Sequence, residues 1–316
     1  MQKIHASIIL ILTITLVGFL PLKAQKNFSF FALGDMPYHN PEDLVKFQKT
    51  ITTINEENPA FTIHVGDIKN GKTKCSDQYY KTILDLFNQF KAPLVYTPGD
   101  NEWTDCHTAE CGGYDPVERL EALRKLYFRN EQSLGQKPMK LISQGKSQGY
   151  KKFVENALWR KEGITFSTVH VVGSNNNYKT DSASNDEYEE RDKANTHWLK
   201  QTFKTASSQN DAAIVIIMHG AMVYKPSETN GFNTMVETLR SEVHAFKKPV
   251  LVIHGDLHHL MISKPLMDAK NNLISNFTAL MVYGDHDMHA VKISVHPKSK
   301  SVFSISEYII EYQRAE

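Results

Sequence analysis

The sequence predicts an α/β fold, and three observations carry that prediction. Short apolar runs rich in β-branched residues alternate with amphipathic stretches of helical period. The first three runs each lead to a Gly-Asp pair, and Asp35, Asp67 and Asp100 are 32 and 33 residues apart, about one strand–helix–strand unit. Of the 316 residues, 41% are hydrophobic and 22% charged, which excludes collagen-like, low-complexity and disordered classes.

The predicted elements follow in order along the chain. We expect strands at 28–33, 61–65, 94–97, 164–172, 212–218 and 249–254, and helices at about 41–57, 76–90, 116–130, 186–205 and 230–246. This alternation is typical of a parallel sheet with right-handed crossovers. Residues 131–160 read as a polar excursion, and the last sixty residues alternate with period two, which predicts antiparallel pairing. Because there is no internal repeat and no Pro- or Gly-rich linker, we expect 25–316 to form a single domain.

The first 24 residues have the pattern of a secretory signal peptide. A short polar segment with Lys3 precedes the apolar run 8–20, and Ala24 offers a cleavage site before Gln25. An uncleaved anchor is the alternative, but the run of 13 residues is shorter than the roughly 20 that span a bilayer. We therefore expect an exported protein, periplasmic or secreted, with no membrane span after cleavage.

The three cysteines all lie in the first half of the chain. In an oxidising compartment, Cys75, Cys106 and Cys111 leave one thiol unpaired. A Cys75–Cys106 bond joins two loops that flank the acidic strand ends, whereas a Cys106–Cys111 bond closes a very small loop. We favour the first pairing, and the spacing does not match a structural zinc site.

Acids and histidines follow five of the predicted strands. They are Asp35, Asp67, Asp100, His219, Asp256 and His258. Because the carboxyl ends of parallel strands share one edge of a sheet, we expect these side chains to lie together. Crowded carboxylates repel unless a cation holds them, and carboxylate oxygens mixed with imidazole nitrogens suit Mn, Fe or Zn. A capping Asp explains any single Gly-Asp, but not their recurrence at successive strand ends.

The ordered motifs resemble those of the calcineurin-like metallophosphoesterases. That family carries GDxH or GDxG, GDxx(D/N/Y), GNH(D/E), a lone His and GHxH. Here the corresponding segments are GDMP (34–37), GDIKN (66–70), GDNE (99–102), MHG (218–220) and GDLH (255–258). The resemblance extends over about residues 28–310. It implies a four-layer α/β/β/α sandwich of the metallophosphoesterase type and two divalent ions, with Mn, Zn, Fe and Mg as candidates.

The resemblance also implies a ligand set. It assigns Asp35 and His258 to the first ion, Asp67 to a bridge between the ions, and Asp100, His219 and Asp256 to the second ion. Asp100 replaces the family's Asn and Asp256 replaces its His. Both changes add negative charge and favour harder ions.

Three other positions depart from the family pattern. Pro37 stands where a His ligand often lies. Asn70 stands where purple acid phosphatases have Tyr, so a tyrosinate-to-iron charge-transfer band is not expected. Asn101 replaces the His that assists the leaving group, and an amide donates a hydrogen bond but does not transfer a proton. Glu102 is the nearest candidate for that acid, so Asn101 and Glu102 are the candidate catalytic residues.

Several polar residues near the motifs are candidates for substrate binding. They are Asn70, the pair Asn175 and Asn176 in an Asn-rich turn, and His286 in the segment GDHDMH (284–289). The alternatives are an ordinary turn for the first pair and an exposed polar hairpin for the second segment. Tyr38, His39 and Trp103 lie beside the metal motifs, where they either line the substrate pocket or pack their loops.

The sequence thus predicts a metal-dependent hydrolase of small phosphomonoesters or phosphodiesters that uses a hydroxide activated by two ions. The alternative is an inactive binding protein of the same fold. The departures from the family pattern at Pro37, Asn101 and Asp256 are of the kind expected in a protein that has lost turnover. The 36 basic and 35 acidic residues balance, so no nucleic-acid surface is expected.

Overall fold

Two β-sheets lie at the centre of the computed structural model, which describes residues 25–181 and 184–312. The predicted signal peptide, residues 1–24, lies outside the described part of the chain. Within the described ranges, no helix has the length and apolar character needed to cross a bilayer.

Twelve strands and six helices make up the fold of these ranges. The strands are β1 (Phe28–Leu33), β2 (Thr62–His64), β3 (Leu94–Tyr96), β4 (Ile142–Ser143), β5 (Ala157–Lys161), β6 (Ile164–Thr168), β7 (Ala213–Ile217), β8 (Val250–His254), β9 (Met261–Ser263), β10 (Phe277–Met281), β11 (Ala290–Val295) and β12 (Phe303–Tyr308). The helices are α1 (Glu42–Glu56), α2 (Asp77–Phe87), α3 (Pro116–Tyr127), the short turn α4 (Gly173–Asn176), α5 (Asp186–Ser208) and α6 (Asn233–Phe246).

Local sequence explains where the early helices begin. Ser76 caps α2 by accepting a hydrogen bond from the Tyr79 N–H, and Asp115 caps α3, where proline occupies the first turn. Serine and aspartate are preferred before a helix because their side chains accept from free backbone N–H groups. Proline is preferred in the first turn because it has no N–H group that needs a partner.

The strands form one five-stranded and one seven-stranded sheet. The first has the order β12-β11-β1-β2-β3, and the second has the order β4-β5-β6-β7-β8-β10-β9. Strands β1, β2 and β3 are parallel, as are β6, β7, β8 and β10. The carboxyl ends of these two parallel groups carry the residues discussed below.

The two sheets pack face to face, with helices on both outer faces. Aromatic rings fill the space between the sheets, where Phe30 of the first sheet meets Phe166 of the second edge to face at 5.6 Å. Helices α1, α2 and α3 cover the outer face of the five-stranded sheet, and α5 and α6 cover that of the seven-stranded sheet. This arrangement confirms the predicted four-layer α/β/β/α sandwich.

The structure corrects three expectations about the sheets. Within the last sixty residues, β9 pairs antiparallel with β10 and β11 with β12, as expected, but they do not form one sheet, because β10 also pairs in parallel with β8, whereas β11 and β12 extend the five-stranded sheet. Period-two alternation reports which side chains share a face, and it carries no information about which strand is the partner. The acidic strand ends also lie on two sheets rather than one. Residues 131–160, expected as an excursion, contribute β4 and β5 at the edge of the second sheet.

The favoured disulfide is present. Cys75 and Cys106 are bonded, and Cys111 is a buried free thiol whose Sγ lies 2.9 Å from the Gly71 carbonyl oxygen. The bond ties the loop before α2 to the 3-10 turn Thr104–His107, which directly follows Asp100. It therefore fixes the loop that carries one of the predicted ligands.

We predict that replacing both bonded cysteines by serine lowers the free energy of unfolding by about 3–4 kcal/mol, because the bond constrains a loop with a sequence separation of 31 residues. Urea denaturation measures the change. Cys111→Ser is the matched control, since serine keeps a donor to Gly71, and its effect should stay below about 1 kcal/mol. A double variant as stable as the unsubstituted protein contradicts the prediction.

Candidate metal centre

The backbone at four predicted ligands adopts the left-handed region that L-residues rarely occupy. The φ angles are 53° at Asp35, 54° at Asp67, 81° at Asp256 and 60° at His258. Each such residue costs of order 1 kcal/mol or more. Each turn directs a side chain from a strand end into the junction between the two sheets. Strain of this kind, repeated at four ligands, is typical of a functional site.

The predicted ligands form two clusters that share one carboxylate. Asp35, Asp67 and His258 make the first cluster, and Asp67, Asp100 and His219 make the second. Within each cluster the candidate donor atoms lie within 4.8 Å of one another. The His258 Nε2 is 3.6 Å from Asp35 Oδ1, and the His219 Nε2 is 3.0 Å from Asp100 Oδ1. Asp67 is thus placed to face both clusters.

Asp256 lies beside the second cluster. Its Oδ1 is 3.9 Å from the His219 Nε2, and its Oδ2 accepts a hydrogen bond from the Ala221 N–H at 2.8 Å. Its own backbone N–H donates to Asp35 Oδ1 at 3.0 Å. The structure therefore brings all six predicted ligands to one place.

The donor atoms are better suited to binding cations than to hydrogen bonding with one another. Asp35 Oδ2 is buried and has no hydrogen-bond partner among the described residues, and Asp100 Oδ1 and His219 Nε2, also buried, lie 3.0 Å apart and have no other hydrogen-bond partner there. Buried polar atoms without partners are costly. A set of hard carboxylate oxygens with imidazole nitrogens is the donor set of divalent first-row ions. Asp35, Asp67 and His258 would hold one ion, and Asp67, Asp100, His219 and Asp256 a second.

Hydrogen bonds at Nδ1 orient the imidazoles of His219 and His258. The His219 Nδ1 lies 3.0 Å from the Val65 carbonyl oxygen, and the His258 Nδ1 lies 2.8 Å from Asp285 Oδ1. With Nδ1 as the donor in each case, each Nε2 carries a lone pair that can bind an ion. Sequence reasoning singled out the segment containing Asp285 but did not assign it this role.

Ser174 is a contact that the sequence gave no reason to expect. Its hydroxyl donates to Asp100 Oδ2 at 2.6 Å. It lies in the turn α4, where Ser174 and Asn175 have left-handed backbone angles. The Asn-rich turn was recognised in the sequence, but the residue that reaches the site is its serine.

Burial and charge together perturb the titration of the cluster. Burial raises the pKa of Asp35 to about 6, although His219 and His258 oppose the rise. Burial, followed by repulsion from Asp100, also raises the pKa of Asp67 well above its usual value. Burial lowers the pKa of His219, but the surrounding carboxylates outweigh it and raise that pKa well above its usual value. Protons and metal ions therefore compete for the same atoms.

Asn101 and Tyr38 both contact the shared carboxylate. The Asn101 Nδ2 donates to Asp67 Oδ2 at 2.5 Å, and its backbone N–H donates to Asp67 Oδ1 at 3.1 Å. The Tyr38 hydroxyl donates to Asp67 Oδ2 at 2.8 Å. The fully buried Lys69, which sequence reasoning missed, donates to the Asn101 carbonyl oxygen at 2.6 Å and fixes that loop.

Glu102 is fully buried beneath the same loop. Its Oε1 accepts hydrogen bonds from the Tyr96 hydroxyl at 2.6 Å and from the Gly99 N–H at 2.7 Å. These contacts anchor the turn that leads to Asp100. The structure thus gives Glu102 a place behind the cluster rather than at its open side.

The four candidate substrate contacts have other partners. Asn70 donates to the Tyr38 carbonyl oxygen at 2.7 Å and accepts from the N–H groups that follow it. Asn175 accepts from the Gly231 N–H, and the buried Asn176 accepts from an Arg191 guanidinium. Only His286 of this set is largely exposed, with 81% of its side chain accessible, beside Asp285. The three amides therefore hold loops in place.

Two glycines allow backbone to approach the carboxylates. A Cβ at Gly99 would lie 2.1 Å from Asp67 Oδ1, and a Cβ at Gly173 would lie 2.5 Å from Asp256 Oδ1 and 2.6 Å from Asp100 Oδ1. A side chain at either position would displace a ligand.

We predict that Gly173→Ala weakens binding of the second ion at least tenfold, because the added methyl group displaces Asp100 and Asp256. Isothermal titration of chelator-treated protein with Mn²⁺ measures both sites. Gly71→Ala is the control, since its Cβ would approach no described atom outside its chain neighbours closer than 3.4 Å. Equal affinities in both variants contradict the prediction.

We predict that the ion-free protein loses stability as the pH rises through about 6. The folded pKa of Asp35 is raised from 3.8, so its contribution is fully present below 3.8 and is lost above about 6. The loss is up to about 3 kcal/mol. Urea denaturation at pH 4.5 and 7.5 with a chelator measures it. Asp35→Asn should show a smaller pH dependence, and saturating Mn²⁺ should remove the loss at pH 7.5. An unchanged pH dependence in Asp35→Asn contradicts this account.

Comparison with known proteins agrees with this geometry. The family model for calcineurin-like phosphoesterases matches residues 28–260. No curated protein is significantly similar in sequence. The fold is similar to that of a dimetal phosphatase from Danio rerio (TM-score 0.55, 10% identity, covering 89% of this chain and 99% of that one). It is also similar to GAP50, described as the anchor in the inner membrane complex of Plasmodium (TM-score 0.50, 12% identity, covering 91% and 90%). The chain therefore belongs to the calcineurin-like phosphoesterase family.

Proposed function

We propose that this protein is an exported, metal-dependent hydrolase of small phosphomonoesters or phosphodiesters. The observation that carries the proposal is the pair of ligand clusters sharing Asp67, with unpartnered donor atoms facing each other at the junction of the sheets. The Cys75–Cys106 bond is compatible with export to an oxidising compartment.

Each part of the cluster has a proposed task. Two divalent ions, when bound, supply an activated hydroxide and neutralise charge on the phosphoryl oxygens. Asp67 would bind both ions and so fix the position of one site relative to the other. Asp285 would keep the His258 imidazole in the tautomer that binds an ion, and Val65 would do the same for His219.

Asn101 is the proposed donor at the open side of the site. Its amide already directs N–H groups toward Asp67, so it is placed to donate to an oxygen of a substrate bound there. Because an amide transfers no proton, we propose that the leaving group departs without an acid from position 101. Glu102, buried behind the loop, would position Asp100 through Gly99 rather than act as that acid. Substrates with acidic leaving groups should therefore react fastest.

The rim of the site is the proposed place for the rest of the substrate. His286 is exposed beside Asp285, and His39 Nε2 lies 3.5 Å from the same carboxylate with 62% of its side chain exposed. These two imidazoles are free to contact a substrate held at the cluster. Asn70, Asn175 and Asn176 would act indirectly, by keeping the surrounding loops in place.

A binding protein without turnover is the second candidate. The replacement of an acid by Asn101 is the observation that favours it, since the ligand clusters alone suffice to hold ions and an anion. Turnover separates the two candidates.

We predict metal-dependent hydrolysis of p-nitrophenyl phosphate or bis-p-nitrophenyl phosphate, assayed with Mn²⁺, Zn²⁺ and Mg²⁺ after chelator treatment. Asp67→Asn should reduce kcat/KM by about 10³-fold or more, because it removes the group shared by both ions, whose contribution is several kcal/mol. The ratio of the two activities distinguishes a monoesterase from a diesterase.

Asp85→Asn is the matched control, since this exposed carboxylate lies on α2 and should leave activity unchanged. Absence of turnover on both substrates with two ions bound would favour the binding protein. Turnover that Asp67→Asn does not change would contradict the two-ion proposal.

A further inference from the structure

Four consecutive residues beside the second cluster have left-handed backbone angles. The φ values are 48°, 56°, 56° and 58° at Ser174, Asn175, Asn176 and Asn177. L-residues visit this region singly rather than in runs, because Cβ then crowds the following carbonyl oxygen. This left-handed turn, residues 174–177, therefore persists only where neighbouring groups hold it.

The left-handed turn borders two ligands of the proposed second ion. The Ser174 hydroxyl donates to Asp100 Oδ2 at 2.6 Å. Gly173, directly before the turn, leaves so little room that a Cβ there would lie 2.5 Å from Asp256 Oδ1 and 2.6 Å from Asp100 Oδ1. Any shift of the turn would therefore move the carboxylates of the second site.

Arg191 of α5 holds the turn from the protein interior. Its side chain is fully buried, and its guanidinium donates to Asn176 Oδ1 at 2.6 Å, to the Asn176 carbonyl oxygen at 2.8 Å and to the His170 carbonyl oxygen at 3.1 Å. Two further bonds go to the Glu187 carboxylate at 2.6 and 3.2 Å. These five bonds equal the number of N–H donors that a guanidinium has.

Glu187 contacts the turn as well as the arginine. Its Oε2 accepts a hydrogen bond from Asn177 Nδ2 at 2.8 Å. Its carboxylate also balances the buried charge of Arg191, which would otherwise be costly in the interior. The ion pair therefore contacts the last two residues of the left-handed turn.

Arg191 also supports the loop after β3. Its guanidinium carbon lies 5.4 Å from the centroid of the fully buried Trp103 ring, and a guanidinium over an aromatic face is a favourable contact. The Trp103 backbone N–H donates to the Asp100 carbonyl oxygen at 3.1 Å. The same side chain thus contacts both segments that position Asp100.

We propose that Arg191 is a positioning residue for the second ion. It maintains the left-handed turn through Asn176, and the turn fixes Asp100 and Asp256. Lysine offers three donors on one nitrogen, so it cannot form the planar fork that holds the side chain and the carbonyl group of Asn176 together. This inference rests on the metal-binding part of the proposed function and not on hydrolysis.

The test is isothermal titration of chelator-treated protein with Mn²⁺, with urea denaturation of each variant as a check on folding. Arg191→Lys should weaken binding of the second ion by about tenfold or more, as loss of the groups that orient metal ligands does, and leave the first ion's affinity unchanged. Asp256→Asn, which removes a carboxylate of the second site, identifies which of the two affinities belongs to that site.

Arg160→Lys is the matched control. It disrupts two bonds to the buried Asp211 carboxylate, which precedes β7 at the end of that strand remote from His219. Both ion affinities should therefore stay unchanged.

Asn176→Gly gives the same decision if Arg191→Lys does not fold. Glycine adopts left-handed angles without strain, so this variant removes the side-chain acceptor of Arg191 but not the conformation of the turn. It should weaken binding of the second ion in preference to the first.

Either variant, once shown to be folded, overturns the inference if it binds both ions as the unsubstituted protein does or loses affinity for both ions equally. A merely structural role of Arg191 would lower the free energy of unfolding and leave the ratio of the two affinities unchanged. Failure of the unsubstituted protein to bind two ions would overturn the proposed function as well.

Discussion

Four carboxylates converge at the junction of the two sheets, and the surrounding loops are built to hold them there. Asp35 and Asp67 are buried, and Asp100 lies within reach of both Asp256 and His219. Like charges this close raise the free energy of the ionised state unless cations or protons neutralise them. The raised pKa values of Asp35 and Asp67 report that cost for the ion-free chain. A pair of bound cations would remove it.

The surrounding structure holds these groups in place against strain and repulsion. Ligands with left-handed backbone angles do not persist unless their neighbours fix them. Here the neighbours are the disulfide beside the 3-10 turn, the buried Lys69 beneath Asn101, and Glu102 beneath Gly99. Each fixes the loop after β3, which carries Asp100. Stability and metal binding are therefore coupled through this loop.

The order in which the ligand residues follow successive strands could be predicted from the sequence. The contacts around those residues could not. The Gly-Asp pairs, 32 and 33 residues apart, predicted the first strand ends, because that spacing is about one βαβ unit. Acids and histidines at successive strand ends predicted the grouping of the six side chains, and the resemblance of the ordered motifs to a known family implied the sandwich. The roles of Tyr38, Ser174 and Lys69 depend on contacts between distant loops, for which periodicity gives no signal. The parallel pairing of β10 with β8 was missed for the same reason. Asn70, Asn175 and Asn176 stood out in the sequence as candidate substrate contacts. In the structure their amides bond to groups of the surrounding loops and helices.

If Asp67 joins two ions at the junction of the sheets, anomalous diffraction from a crystal grown with Mn²⁺ will locate both. We expect two anomalous peaks about 3.5–4 Å apart, with Asp67 bound to both. A single peak, no peak, or two peaks without Asp67 between them would contradict it.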